Sequence, residues 1–226
     1  YNYRVLQPWK ITDPNSNSRQ SAFDGLSMVV KLALTSRVES EGDSLEDPTQ
    51  IYEYNLKGWM AENGKKPAYV HVKKRETHAD SDTHWIESYV YTDGLGKEIM
   101  TKTTAADGKA FTLVNDQKAE IYTTDRWLAS GKIIFNNKGN AIKQYEPWYS
   151  TTNEFEDEEQ LTCYGVTPVM HYDPLGRLIQ TDFPDGTISK VEFNAWQQKN
   201  YDQNDCISDE DAHGEKICRW YRERIA

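Results

Sequence analysis

Short runs in which apolar and polar residues alternate, each stopped by a cluster of Asp, Asn, Gly or Pro, fill most of this chain. A period of two is that of a half-buried strand, and the stops are residues that reverse a backbone, so the pattern predicts antiparallel hairpins. Ile51-Tyr-Glu-Tyr-Asn-Leu56 reads as one such strand. Asp107-Gly108, between a Thr-rich run and Phe111-Thr-Leu-Val114, marks a hairpin, as does Pro184-Asp185-Gly186-Thr187 between Leu178–Asp182 and Ile188–Phe193. Helical periodicity is scarce. The best stretch, Ala119 to Ala129, contains Ile121-Tyr-Thr-Thr and suits a strand as well.

One unit recurs at these stops. It is found as Phe23-Asp-Gly-Leu-Ser-Met-Val-Val30, Tyr91-Thr-Asp-Gly-Leu-Gly-Lys-Glu-Ile99, Phe135-Asn-Asn-Lys-Gly-Asn-Ala-Ile142, Tyr172-Asp-Pro-Leu-Gly-Arg-Leu-Ile179 and, degenerate, Phe193-Asn-Ala-Trp-Gln-Gln-Lys-Asn200. An aromatic residue stands directly before Asp24, Asn136, Asp173 and Asn194, and at one remove before Asp93. Three residues after the Asx comes Gly96, Gly139 or Gly176, with Ser27 and Gln197 in the divergent copies. Asx side chains cap turn backbones, Pro174 presets φ at the second position, and glycine tolerates φ > 0 where the chain reverses. Each unit is therefore expected to be a hairpin corner, flanked by residues that favour half-buried strands. The spacings are irregular, so longer intervals hold insertions or decayed copies. One expected insertion runs from about residue 38 to 67. The repeat region is expected to span 1–205, and residues 206–226 to form an acidic loop followed by a strand or short helix.

Composition narrows what such a sheet can be. The chain of 226 residues is polar, 37% hydrophobic with a mean hydropathy of -0.83, yet 12% aromatic, with Tyr (14) far ahead of Phe (6). Tyr and Trp cover a sheet face without full burial, so the mixture suits sheets wetted on one or both faces rather than a thick aliphatic core. A net charge of -10 has the wrong sign for neutralising phosphates, which argues against nucleic acid as a partner. The longest apolar stretch, Met28 to Leu34, is interrupted by Lys31 and far too short to span a bilayer. The opening Tyr-Asn-Tyr-Arg carries neither Met nor an apolar signal, as in a fragment of something longer. Cys163, Cys206 and Cys218 are too few for a disulfide framework; Cys206 and Cys218 could pair across the acidic loop if oxidised.

Residues with chemistry in them favour bland readings. Glu154, Glu156, Asp157, Glu158 and Glu159 form a charge run expected to be a solvated loop, as do Asp209, Glu210 and Asp211. Asp13-Pro-Asn-Ser-Asn17 with Asp24 superficially matches a calcium loop, but Ser18 stands where the sharp turn needs Gly, and the flanks read as strands. His71, His78 and His84 match no helical ligand pair, and Cys163 would need a His brought in by the fold. No phosphate loop, nucleophile elbow or CxxC pair is present. The expectation is no catalytic, cofactor-binding or metal-binding residue. The residues that matter are turn formers: Asp24, Asp93, Gly96, Asn136, Gly139, Tyr172, Asp173, Gly176, Arg177, Asp185 and Gly186. A second reading is a carbohydrate- or protein-binding module using exposed Trp148, Tyr149 and Trp196. A third is a polysaccharide-active enzyme, which would need a convergent acid pair.

Tyr172-Asp173-Pro174-Leu175-Gly176-Arg177-Leu178-Ile179 with Pro184-Asp185-Gly186-Thr187 closely resembles the tyrosine–aspartate (YD) repeat of Rhs proteins. More of the chain resembles the B component of bacterial Tc insecticidal toxin complexes and SpvB-type Rhs proteins. The similar stretches are Tyr3-Arg-Val-Leu-Gln-Pro-Trp9, Thr12-Asp-Pro-Asn15, Tyr89 to Ile99, Ile134 to Gly139, Gln144-Tyr-Glu-Pro147 and Tyr172 to Asp205. The resemblance implies an all-β fold, an antiparallel hairpin strip that spirals into a hollow shell around a toxin or effector polypeptide. It implies a secreted, extracellular setting, with the rest of the same longer chain, the enclosed polypeptide and other toxin-complex subunits as partners. The family's gate, self-cleaving protease segment and variable toxin are not found in these residues. A strip cut from such a shell leaves edges unpaired, so the isolated segment is expected to self-associate or to be marginally stable.

Overall fold

The computed structural model describes residues 1–38, 41–61, 66–114, 117–157, 167–207, 210 and 222–224. Among them the chain is all-β apart from α1 (Gly58–Ala61) and helical residues 222–224. It divides into two compact units, Tyr1–Thr112 with Ala119–Ala129 and Tyr149–Asp157, and the remainder.

In the first unit seven strands follow one another across a sheet: β1 (Lys10–Thr12), β2 (Ser18–Phe23), β3 (Val29–Thr35), β4 (Gln50–Asn55), β5 (Ala68–Arg75), β6 (Trp85–Thr92) and β7 (Glu98–Ala105). The strand read at Ile51–Leu56 is β4, which pairs in register with β5 from Gln50↔Lys74 to Asn55↔Tyr69. Beyond β7 the chain stops running in order. Strands β8 (Gly108–Val114), β9 (Gln117–Thr123), β10 (Arg126–Ser130) and β13 (Trp148–Ser150) complete the sheet in the order β7-β10-β13-β8-β9. Asp107-Gly108 therefore does not close a hairpin: it joins β7 to β8, which are not neighbours. A Cβ on Gly108 would meet the Arg126 guanidinium at 2.8 Å, the end of a side chain that can move aside. The Ala119–Ala129 segment is strand, split between β9 and β10. Strand β13 pairs in parallel with β8 through Ser150↔Phe111.

The second sheet is a plain meander of β11 (Ile133–Phe135), β12 (Ala141–Gln144), β14 (Val169–Tyr172), β15 (Leu178–Asp182), β16 (Ile188–Phe193) and β17 (Gln198–Tyr201), all antiparallel. The expected hairpin at Pro184–Thr187 connects β15 to β16.

Cross-strand register decides which side chains meet. Glu53 stands opposite His71, His71 opposite Tyr89 and Tyr89 opposite Lys102, while Tyr69 faces Tyr91 and Tyr91 faces Met100. The period-two pleat places all of these on one face. Segment Tyr149–Asp157 contributes cover for this face: the Tyr91 hydroxyl donates to the Asn153 carbonyl at 2.5 Å, and the Phe155 ring packs 5.5 Å from Tyr91. Tyr91, Met100, Lys102, Trp127, Ala129, Ser150 and Glu156 are buried there. The core is thin and half polar, as the low aliphatic content suggested.

Candidate functional site

Four of the five Asx units close the same way. At Asp24, Asp93, Asn136 and Asp173, the first residue's N–H donates to the carbonyl four residues on, and the N–H of the fourth residue donates back to the first carbonyl. The Asx Oδ1 then accepts two more backbone N–H groups, two and four residues ahead, at 2.8 to 3.0 Å. The fourth residue lies in the left-handed region, with φ of 69° at Ser27, 79° at Gly96 and Gly139 and 82° at Gly176. A register shift follows in each hairpin. This is a turn closed by a glycine-type bulge, in which the carboxylate or amide satisfies N–H groups that the reversal leaves without strand partners.

Tyr172-Asp-Pro-Leu-Gly-Arg177 shows a job for each of its distinctive residues. The Tyr172 hydroxyl donates to the Ala141 carbonyl at 2.7 Å, tying β14 to the neighbouring hairpin. Arg177 Nε donates to Asp173 Oδ2 at 2.7 Å, and its guanidinium lies 4.3 Å from the Phe193 ring centroid. Hydrogen bonds from the Arg177 N–H and side chain hold the Asp173 carboxyl below its usual range. The next turn is framed differently from the others: Phe183, not an Asx, takes the first position, Gly186 sits at φ 81°, and Asp185 caps Thr187 through both its N–H and its hydroxyl. Asn194 makes a shorter turn, accepting from Trp196 and Gln197.

A sixth Asx corner, Asp13-Pro-Asn-Ser-Asn17, is expected from the sequence only as a turn-rich connection between strands, not as a copy of the repeat. The Asp13 N–H donates to the Asn17 carbonyl at 2.8 Å, the Ser16 N–H donates to the Asp13 carbonyl with Ser16 at φ 69°, and Asp13 Oδ1 accepts the Asn17 N–H at 2.8 Å. The signal was its Asp-Pro start, shared with Asp173-Pro174, but Ser16 replaced the glycine and Thr12 the aromatic.

Two buried charge clusters lie in the first unit. Asp43, its side chain fully buried, accepts from Thr49 Oγ1 at 2.5 Å, the Ala79 N–H at 2.9 Å and Arg75 Nη1 at 2.7 Å, and lies 2.6 Å from His78 Nδ1. Burial pushes the Asp43 carboxyl up, but these donors outweigh it and hold it at about 2. Arg75 also pairs with Asp47. The cluster stitches the β3–β4 and β5–β6 connections together. The second cluster corrects the expectation of a solvated acidic loop: Glu156 is buried, 2.8 Å from Lys102 Nζ, and accepts from Ser150 Oγ at 2.7 Å. Burial pulls the Lys102 ammonium down, while Glu156 opposes it. Glu158 and Glu159 of that run, with Asp209 and Asp211, lie outside the described residues.

The three histidines are dispersed onto separate carboxylates. His71 is stacked 4.1 Å from Tyr89, with Glu53 and Glu87 at 3.0 and 2.7 Å from its two nitrogens. His78 faces Asp43, and His84 lies 3.4 Å from Glu76. No group of three or more His, Cys, Asp or Glu among the described residues could hold a metal ion. Cys206 is buried, whereas Cys163 and Cys218, and with them the candidate pairing, lie outside the described residues. Trp148 is buried, the Arg126 guanidinium covers Tyr149 at 3.3 Å, and Trp196 is 95% exposed, so these three do not offer a shared stacking platform.

The class the fold defines is an antiparallel hairpin sheet with Asx-capped corners. No family model matches the chain, and no curated protein sequence does. Solved structures do. A chain in the crystal structure of TcdB2-TccC3 superposes with a TM-score of 0.78 at 21% identity, covering 91% of this chain and 11% of that one. TcdB2-TccC3 without its hypervariable C-terminal region gives 0.77 at 17%, and a Photorhabdus luminescens Tc holotoxin pore 0.75 at 17%, each over 91% of this chain and 13% of the other. The fold is thus that of a segment of Tc toxin complex chains, and the chain spans little more than a tenth of their length. No helix among the described residues is long and apolar enough to cross a membrane.

Proposed function

We propose that this chain is a wall segment of an Rhs-type β shell that encloses a toxin or effector polypeptide, and that it performs no catalysis itself. The observation that supports this most is the repeated corner, superposed across 91% of the chain on Tc toxin structures. In that corner the polar residues are consumed by the fold: Asp24, Asp93, Asn136 and Asp173 each spend their Oδ1 on two backbone N–H groups. Residues so engaged hold hairpins in register. The partners are then the remainder of the same longer chain, the enclosed polypeptide and other toxin-complex subunits, in a secreted bacterial complex.

The test is cryo-electron microscopy of the full-length polypeptide from which these residues come. The expected map places both sheets in a continuous β wall around a closed cavity. A free-standing domain with both sheet faces in solvent overturns the reading.

A further inference from the structure

Four Asp–Gly bonds occur in the chain, all among the described residues: Asp24-Gly25, Asp93-Gly94, Asp107-Gly108 and Asp185-Gly186. The pair is chemically distinctive, because glycine has no Cβ to hinder its own amide nitrogen as that nitrogen approaches the carboxyl of the residue before it. The fold separates three of these carboxyls from the fourth. Asp24 Oδ1 accepts the Leu26 and Met28 N–H groups at 2.8 and 2.9 Å, and Asp93 Oδ1 accepts those of Leu95 and Lys97 at 2.8 and 2.9 Å. Asp185 Oδ1 accepts the Thr187 N–H at 2.9 Å and the Thr187 hydroxyl at 2.7 Å. Each of the three reaches over its glycine and is held there by donors two or more residues ahead.

Asp107 closes no such turn. It stands in the connection between β7 and β8, strands that are not neighbours, and its exposed carboxylate has neither a hydrogen bond nor an ion pair among the described residues. The backbone around it is held from elsewhere. Arg126 Nη1 donates to the Ala106 carbonyl at 3.2 Å and Arg126 Nε to the Lys109 carbonyl at 2.9 Å, one on each side of the Asp–Gly bond. Gly108 is the first residue of β8. The Asp107 carboxyl can therefore turn onto the Gly108 nitrogen without giving up a partner, whereas each of the other three must first break the hydrogen bonds that cap its turn.

We infer that Asp107-Gly108 is a site of isoaspartyl modification, selected by the fold from four Asp–Gly bonds of the same local chemistry. The Gly108 nitrogen attacks Cγ of the protonated Asp107 carboxyl, an N–Cγ bond forms, and the amide proton leaves with the carboxyl hydroxyl as one molecule of water. The product is a five-membered cyclic imide. Water then reopens it at either carbonyl. Opening at Cγ restores aspartate; opening at the main-chain carbonyl of Asp107 leaves the chain running through Cβ and Cγ, with a free α-carboxylate. No oxidant or reductant enters, and the mass is unchanged. The exposed α-carboxylate is the group that an S-adenosylmethionine-dependent carboxyl methyltransferase accepts. The site is additional to the wall reading, which needs no modified residue.

The test ages the full 226-residue chain in mildly acidic buffer, where a fraction of each carboxyl is protonated, in parallel with the same chain unfolded in guanidinium chloride. Trypsin places the four Asp–Gly bonds on separate peptides, and chromatography with electron-transfer fragmentation separates isoaspartate from aspartate in each. Labelled methyl transfer by the carboxyl methyltransferase is the second readout. In the folded chain isoaspartate is expected to accumulate at Asp107 at least about tenfold faster than at Asp24, Asp93 or Asp185. In denaturant the four rates are expected to converge. Equal rates at the four sites of the folded chain, or no isoaspartate at Asp107, overturns the inference. A preference for Asp107 that persists undiminished in denaturant also sinks it, since sequence and not fold then makes the choice. Asn63-Gly64, outside the described residues, reaches the same kind of imide by losing ammonia, and its separate tryptic peptide keeps it out of the comparison. None of these results bears on the wall reading, which the full-length map tests separately.

Discussion

Replacing Lys102 with methionine asks whether the first sheet is built around its buried ion pair. The ammonium is inaccessible, 2.8 Å from Glu156 Oε1, and donates to the Thr152 carbonyl at 2.7 Å and Ser150 Oγ at 3.3 Å. Methionine keeps most of the volume and removes the charge. Glu156 is then left buried with its counter-charge gone, and removing one partner of a buried pair costs about 3 to 5 kcal/mol. Removing both is different: Lys102→Met/Glu156→Leu discards two desolvation penalties together with one attraction, so it is expected within about 1 kcal/mol of wild type. With either single replacement costing about 3 kcal/mol or more and the double within about 1, the coupling between the two sites is at least about 5 kcal/mol. Hydrogen exchange of the β6 and β7 amides reports this locally, which matters in a chain with two compact units. A single variant that loses less than about 1 kcal/mol, or a double variant as unstable as the single, refutes the argument.

Three further outcomes are expected. The folded-state pKa of Asp43, about 2, lies below its ordinary 3.8, so its stabilisation is complete above about pH 4 and is lost as the pH falls toward 2. That amounts to about 2 kcal/mol, and Asp43→Asn should make acid-side thermal melts correspondingly less pH-dependent. Asp93→Ala removes the acceptor for the Leu95 and Lys97 N–H groups and should cost about 1 to 2 kcal/mol in urea unfolding, whereas Asp93→Asn, which keeps an Oδ1, should cost less. Gly96→Ala meets no atom within 4 Å yet sits at φ 79°, so its loss of about 1 kcal/mol in the same assay isolates backbone strain; Ser27→Gly, relieving the same strain at φ 69°, should change stability in the opposite direction.

What was readable in the residues was local. An Asx turn is made within five consecutive residues, so Asp24, Asp93, Asn136 and Asp173 could be found by spacing alone, and the all-β class followed from period-two alternation. What was not readable depends on distant partners. Glu156 looked like one more acid in a charge run, because nothing near it in sequence says that Lys102, on β7, will be buried against it. Asp107-Gly108 carried a genuine hairpin signal, but β10 and β13 are inserted between the strands it joins, and pairing won over the local preference. The Asp13 segment was legible as a turn between strands, but not as a copy of the repeat: Ser16 takes the left-handed position just as Ser27 does, whereas Thr12 stands where the other copies carry an aromatic residue.

The same contrast explains why the gathering of exposed leucines at one end of the first sheet was invisible while its turns were plain. Leu26 and Leu95 occupy the third position of two separate Asx turns, where the backbone N–H caps the carboxylate and the side chain is thrown outward. Each taken alone is an unremarkable exposed leucine. Only strand parity brings them together: an even number of strands separates the two corners, so both fall at one end of the sheet, with the β4–β5 connection and Trp59 between them. Inserting or deleting a single strand between Asp24 and Asp93 would send the two leucines to opposite ends. Which corners of a hairpin strip share an end is therefore written in the number of strands between them.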